Sequence, residues 1–427
     1  MTDLSKTPSW FLYPEYNWQH KHVVIIGAGI AGCQMAWHLC QKNWQVTLIE
    51  RHHQIASEAS GNPLGVISPK MTAGPSIGED FYTQAFHYTL SLLKSLSQLG
   101  HGVDWEACGV LQLAHNPREV KRWHALVERN LPINFIQLLN EEQTNKVSGI
   151  SFHSEKTYKS SYFPKGGWIK PASFACALSQ HPNCKIITET EAIKLKKTEN
   201  SWSLLNSSKQ ELAKSEVVII TSGKDLNKFS QSSFLPAMPV AGQTTIVNAS
   251  GYSGNLKTVI GHEGYLTPAI NISGKSKQHI FGATFERDIS KPSLNTNADN
   301  INFECLKKYL PEFANSLDQL NSAHTAVRMT TPDRFPYVGA LPDIQFYQQN
   351  YHDLHQGKQW KEYPAAHYQK GLFVLGGLGS RGLITSGLCA NALTHLLENH
   401  LESEQEALLL QQCHPARFII KNLKRGI

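Results

Sequence analysis

The chain has 427 residues, 41% of them hydrophobic, which is enough for a sizeable core and two domains. No apolar run reaches the ~18 residues of a membrane helix, and the opening residues show neither an apolar leader core nor a cleavage site, so a membrane anchor and a secretory route are both unexpected. A net charge of +6 permits an anionic macromolecular partner without demanding one. The eight cysteines form no C-x-x-C or zinc spacing, and the 20 histidines form no H-E-x-x-H, so reduced thiols, a cytoplasmic location and no metal are expected. No G-x-S-x-G occurs, so serine nucleophile chemistry is not expected.

Residues 1–20 read as an aromatic-rich extension. Residues 22–26, HVVII, form an apolar strand, followed by Gly27-Ala28-Gly29-Ile30-Ala31-Gly32. A helix is expected over 33–42 and a second strand over 45–49, ending on Glu50. This is the dinucleotide-binding fingerprint in its proper setting. Gly27 permits the tight turn, Gly29 lets backbone N–H groups approach a pyrophosphate, and Gly32 lets helix and strand pack closely. The helix N-terminus then faces the phosphates with its partial positive charge. Glu50 is placed to accept hydrogen bonds from ribose hydroxyls, which disfavours a 2′-phosphate.

Further along, residues 79–99 place Phe81, Ala85, Tyr88, Leu92, Leu96 and Leu99 at helical spacing, a core-facing stripe. Residues 217–221 form a buried strand ending at Ser222-Gly223. Residues 372–375 form another, leading into Gly376-Gly377-Leu378-Gly379-Ser380-Arg381-Gly382 and a helix over 385–400. Stretches of weaker β character lie at 109–114, 243–248, 264–268 and 278–285. The expected architecture is α/β: a discontinuous nucleotide domain with an inserted antiparallel-sheet substrate domain.

This arrangement resembles the FAD-dependent D-amino-acid oxidase and glycine oxidase superfamily. The segment Ala59-Ser60-Gly61-Asn62-Pro63-Leu64-Gly65 stands where that superfamily runs along the flavin. Residues 327–339, VRMTTPDRFPYVG, look like its R-P-x-T-x-D-x-x-P-x-I-G stretch. Within the superfamily, the ordered pieces ASGNPLG, FYTQAF, CGVLQL, YFPKGGWIKPA, PVAGQ, GYLTP, RMTTPDRFPYVGALPD and GLGSRGL resemble the flavin domain of bifunctional tRNA 5-methylaminomethyl-2-thiouridine biosynthesis proteins, as does the basic end from Pro415 to Arg425.

The resemblance implies a Rossmann-like FAD-binding domain over 21–100, 165–235 and 325–427 and a substrate domain over 101–164 and 236–324. It implies non-covalent FAD held by Gly27, Ala28, Gly29, Ile30, Ala31, Gly32, Glu50, Ser60, Gly61, Asn62, Ala192, Ser222, Gly223, Gly379, Ser380, Arg381, Gly382 and Leu383. The implied reaction removes the carboxymethyl group from 5-carboxymethylaminomethyl(-2-thio)uridine at the tRNA wobble position, with molecular oxygen as electron acceptor. Aminomethyluridine and glyoxylate are the products. Arg328 sits where the superfamily places its carboxylate-binding arginine, and Arg381 is a second candidate; a domain-interface salt bridge and a role beside the flavin phosphates are their competing readings. Tyr265, Tyr337, Trp168 and Lys70 are candidates for the pocket wall or for core. Lys194, Lys196 and Lys197, and Arg417, Lys421, Lys424 and Arg425, are candidates for tRNA phosphate contacts or plain solvated faces. The resembled bifunctional proteins usually carry a methyltransferase domain ahead of the flavin domain. Some 20 residues precede the first strand here, so methylation is not expected of this chain, and a separate methyltransferase partner is left open. A free amino-acid oxidase of the glycine or sarcosine type and a non-catalytic accessory flavoprotein are the alternatives.

Overall fold

The computed structural model describes residues 7–152, 158–272, 274, 276–289, 291–317, 320–358 and 360–427; residues 1–6 of the expected N-terminal extension lie outside them. The chain forms two compact units, Met1–Ser57, Ala175–Pro239 and Arg328–Ile427 in one, Glu58–Phe174 and Val240–Val327 in the other.

The first unit is built on a six-stranded sheet. Its order is Tyr337–Pro342, Tyr368–Gly376, Val217–Ile220, His22–Ile26, Gln45–Ile49, Cys184–Ile187. All pairs are parallel except Tyr337–Pro342, which runs antiparallel to its neighbour. Val24 sits opposite both Thr47 and Val218 in this register. Strands covered on both faces carry no polar alternation, which is why 23–26 and 217–220 read as continuous β-branched runs. The first helix, Ile30–Gln41, is buried from Ile30 to Cys40, Gln34 and His38 included. It packs on strands His22–Ile26 and Gln45–Ile49 and on the second helix, Gly382–Leu397. It starts three residues earlier than its sequence suggests, because Gly29, in extended conformation, is its N-cap and Gly32 lies inside its first turn. The second helix likewise begins at Gly382 rather than 385. Residues 9–18 pack on this same unit: Tyr347 donates to the Trp10 carbonyl at 2.6 Å and the Trp18 indole to the Leu397 carbonyl at 2.9 Å.

The second unit carries a ten-stranded sheet, whose pairs of known direction are antiparallel except where Val259–Gly261 runs parallel to Val110–Leu113. The β stretches expected at 243–248 and 278–285 lie within or overlap Met238–Asn248 and Lys277–Gly282, while 264–268 shortens to Tyr265–Leu266. The helix Ile77–Gln98 is capped by Ser76, whose hydroxyl accepts from the Glu79 N–H at 3.2 Å. Its buried face includes Phe81, Ala85, Leu92 and Leu96; Leu99 falls past the helix end and is 60% exposed.

Residues 58–100 and 165–174, grouped by resemblance with the nucleotide domain, pack within this second unit. Two contacts explain it. Strand Gly167–Ile169 pairs with Gly65–Ile67 on one side and with Trp105–Glu106 on the other. Glu79 receives both Arg129 guanidinium nitrogens, at 2.5 and 3.0 Å, with the Thr72 N–H and hydroxyl at 2.7 and 2.9 Å. Its side chain is 6% exposed and that of Arg129 16%, so truncation would leave a largely covered guanidinium without its carboxylate. Glu79→Ala is expected to destabilise the fold by about 3–5 kcal/mol in a denaturant titration; a change under about 1 kcal/mol would mean the pair is dispensable.

Candidate cofactor and substrate site

The glycine turn of the first unit is shaped by close backbone approach. Gly27 has φ +100°, and a Cβ there would lie 2.9 Å from the Thr221 carbonyl oxygen. A Cβ on Gly32 would lie 1.9 Å from the Gly27 carbonyl oxygen, an impossible contact. Thr221 locks the turn: its hydroxyl hydrogen-bonds both the Ile26 and Gly27 carbonyls at 2.8 Å. Nothing local in the sequence marks this threonine, which reaches the turn from nearly 200 residues away.

Glu50 is buried, and each carboxylate oxygen accepts one backbone N–H, Ala28 at 2.9 Å and His52 at 3.0 Å. Each oxygen keeps a further lone pair for a ribose hydroxyl. Next to it, Arg51 pairs with Asp225 at 2.5 Å, and Lys228 pairs with the same carboxylate at 2.6 Å. Sequence reasoning missed Arg51 and Asp225; the signal was a cation directly after the strand-end acid.

Ser222 and Gly223 follow strand Val217–Ile220 and adjoin the turn, since a Cβ on Gly27 would lie 3.1 Å from the Ser222 Cα. The Ser222 hydroxyl is buried without a hydrogen-bond partner among the described residues, and Gly223 has φ +54°. Gly379, Ser380 and Arg381 form a 3-10 turn into the second helix, which opens with Gly382 and Leu383. A Cβ on Gly382 would meet Leu378 at 3.3 Å and Ile30 at 3.8 Å, so this turn comes up against the start of the first helix beside Ala31. Ala192 is half-buried against the hydrophobic core of this unit. The structure therefore brings Gly27–Gly32, Glu50, Ser222–Gly223 and Gly379–Leu383 together in one unit. Ser60, Gly61 and Asn62 belong to the second unit. There the Asn62 amide donates to the Tyr265 hydroxyl at 3.2 Å, and Thr244 donates to its carbonyl oxygen at 3.3 Å.

Arg328 lies on strand Leu320–Thr330, half-buried between the buried Val327 and Met329, hence on the face opposite theirs and shared with Thr330. Thr330 forms a β-bridge with Leu378, and a Cβ on Gly379 would touch its methyl at 3.5 Å. The segments bearing the two arginines thus meet, two residues from Arg328 on one side and three from Arg381 on the other. Of the other candidates, Tyr337 is core, its hydroxyl donating to the Pro236 carbonyl at 2.7 Å, and Trp168 is buried in a hydrophobic cluster of the second unit. Tyr265 hydrogen-bonds the Leu64 carbonyl at 3.3 Å. Lys70 lies over the Tyr82 ring at 5.1 Å.

Two of the candidate phosphate contacts have partners within the protein. Arg417 donates to both Asp333 oxygens at 2.8 and 2.9 Å, lies over Tyr337 at 4.3 Å, and its side chain is 9% exposed. Burial alone would raise the Asp333 carboxyl, but the Arg417 guanidinium and the Phe335 N–H hold it below the usual carboxylate range. Lys197 donates to the Lys370 carbonyl at 2.7 Å and covers Trp202 at 4.5 Å.

A family model described as FAD dependent oxidoreductase (DAO) matches residues 22–396. This chain belongs to that family. The residues present fit the family's cofactor: a glycine cradle that no side chain can enter, a buried acid with free lone pairs, and an unpartnered buried hydroxyl beside the turn. Relatives of this FAD-dependent oxidoreductase include the tRNA 5-methylaminomethyl-2-thiouridine biosynthesis bifunctional protein MnmC of Pseudomonas syringae pv. tomato, 34% identical over 100% of this chain and 63% of its own. The MnmC of Chromobacterium violaceum is 33% identical over 97% of this chain and 62% of its own. The chain therefore spans somewhat less than two thirds of these relatives. Among solved structures, glycine oxidase from Geobacillus kaustophilus superposes with a TM-score of 0.73 at 18% identity, covering 92% of this chain and 98% of that one. Iminodiacetate oxidase from Chelativorans sp. BNC1 gives 0.71 at 18% identity, with the same coverage. At that identity the likeness speaks for the fold alone.

Proposed function

We propose that this FAD-dependent oxidoreductase removes the carboxymethyl group from 5-carboxymethylaminomethyl(-2-thio)uridine at the wobble position of tRNA. The observation that carries this reading is the match to MnmC proteins along essentially the entire chain, at 33–34% identity. Bound FAD would supply the two-electron acceptor for the C–H bond between the amine nitrogen and the carboxylate. Gly27–Gly32 and Gly379–Leu383 would hold its phosphates and Glu50 its ribose. Within the second unit, Asn62 is fixed by Tyr265 and Thr244.

Arg328 would hold the substrate carboxylate through paired N–H donors, which orients the adjacent methylene and restricts its motion. Arg381, a short distance along the chain from the Thr330–Leu378 bridge, would add positive charge there. Across the whole reaction, the secondary amine, oxygen and one water yield the primary amine, glyoxylate and hydrogen peroxide. Water adds to the carbon of the C=N bond, and the nitrogen stays on the nucleoside. The carboxylate-bearing fragment that departs is the one Arg328 grips.

The flavin is read as non-covalent, because residues 326–329 are Ala-Val-Arg-Met and offer no thiol. Acid precipitation should release all yellow colour into the supernatant; colour retained in the pellet would overturn this. The reaction itself is tested by nucleoside mass spectrometry after incubation with undermodified tRNA. Carboxymethylaminomethyluridine should convert to aminomethyluridine with one glyoxylate each. An unchanged nucleoside profile alongside rapid oxidation of free glycine or sarcosine would favour a small-amine oxidase instead.

A further inference from the structure

The helix Arg417–Leu423 and the turn after it end in exposed cations without acids. Lys421, Lys424 and Arg425 are exposed, and among the described residues none of them makes an ion pair. The surface continues from them without a break. Lys424 lies over the Trp10 ring at 4.9 Å, Trp10 meets Tyr363 at 5.7 Å, and Lys361 covers Tyr363 at 4.8 Å. Lys361 and Lys358 share the carboxylate of Asp353, at 2.7 and 3.4 Å, and the exposed Glu362 adds a second acid, so this stretch is charge-balanced and the excess positive charge lies on Lys421, Lys424 and Arg425. Beside Lys358, whose ammonium is 6.0 Å from its ring centre, Trp360 stands 79% exposed.

We propose that this face is a docking surface for the phosphate backbone of RNA, with Lys421, Lys424 and Arg425 on phosphates and Trp360 as a stacking platform for an unpaired base. Exposed cations and an exposed aromatic ring on one face match single-stranded or loop RNA, which offers phosphates and π-faces together. One exposed apolar residue alone would signify nothing; the run of contacts that leads from Lys424 over Trp10, Tyr363 and Lys361 towards Trp360 is what selects this partner. The surface is tied mechanically to the substrate end of the unit. Arg417, at the start of the helix, is bolted to Asp333, which lies five residues beyond Arg328. Five extended residues, the Arg417–Asp333 pair and the helix with its closing turn together span at most roughly 40 Å, which bounds the distance from RNA held here to Arg328. The inference rests on the tRNA reading above and adds to it where the RNA sits.

The test uses the flavin-loaded protein and a labelled, unmodified tRNA transcript in a fluorescence anisotropy titration over a range of salt. The triple variant Lys421→Ala/Lys424→Ala/Arg425→Ala should bind at least about tenfold more weakly, and its plot of log affinity against log salt should be shallower by about 2–3. Lys421→Arg/Lys424→Arg/Arg425→Lys should retain both affinity and slope. Trp360→Ala should weaken binding by about fivefold or more while leaving the slope unchanged. Flavin content and thermal midpoint report whether each variant folds; should the triple variant fail, Lys424→Glu alone should give the weakened affinity. A wild-type protein that binds tRNA while the triple variant matches it in affinity and slope would overturn this surface and leave the tRNA reading standing. A wild-type protein that does not bind tRNA would remove both. Competition by polyglutamate as effective as that by RNA would overturn the RNA assignment in favour of an acidic protein partner.

Discussion

Arg328→Ala is expected to purify with its full complement of FAD and to lose most of its turnover. Its side chain lies opposite the buried Val327 and Met329, on the face shared with Thr330, whose bridge to Leu378 brings in the glycine turn carrying Arg381. Arg328 lies outside the glycine cradle, so flavin binding should survive. Loss of a charge-assisted bidentate contact costs about 2–5 kcal/mol. In kcat/KM that is roughly 30-fold to several thousand-fold. Arg328→Lys should recover little, because an ammonium cannot span both carboxylate oxygens. Steady-state rates at subsaturating substrate, with flavin content measured on the same sample, decide the matter. Near-normal rates in Arg328→Ala would move the carboxylate anchor to Arg381.

Gly32→Val is expected to abolish FAD binding. The new Cβ would fall 1.9 Å from the Gly27 carbonyl oxygen, and that oxygen is held by the Thr221 hydroxyl at 2.8 Å, so the turn has nowhere to retreat. Helix and strand would have to separate, and the N–H groups at the helix start would leave the pyrophosphate position. Gly29→Val should also lose the cofactor, through the side chain occupying the phosphate position itself. The ratio of visible to ultraviolet absorbance reads flavin content, and circular dichroism reports whether the sheet persists. A Gly32→Val protein that carries stoichiometric flavin would remove the cradle assignment.

Much of this site is legible in the sequence, and the parts that are not share a cause. The glycine turn, the two flanking strands and Glu50 are local: each follows from residues within a few positions of one another. The helix start falls earlier than the sequence suggests because Gly32 reads as a helix breaker, yet here its missing side chain is what lets the first turn form against Gly27. Thr221 cannot be found from sequence because its partners lie across the sheet. That residues 58–100 group with the second unit is hidden for the same reason, since Arg129, which fixes Glu79, is 50 residues on. Arg417 looks in the sequence like one more surface cation in a basic tail. Asp333 and Tyr337, some 80 positions upstream, turn it inward. Arg328 stands out only through resemblance: nothing in the local pattern of strand Leu320–Thr330 distinguishes a carboxylate-binding arginine from any other half-buried one.

The most direct test of tRNA carboxymethyl oxidation is anaerobic mixing of the flavin-loaded protein with tRNA bearing carboxymethylaminomethyluridine. Rapid bleaching of the yellow absorbance, absent with tRNA already in the aminomethyl form, is the predicted result. A flavin that stays oxidised with the modified tRNA but bleaches with free glycine or sarcosine would contradict it.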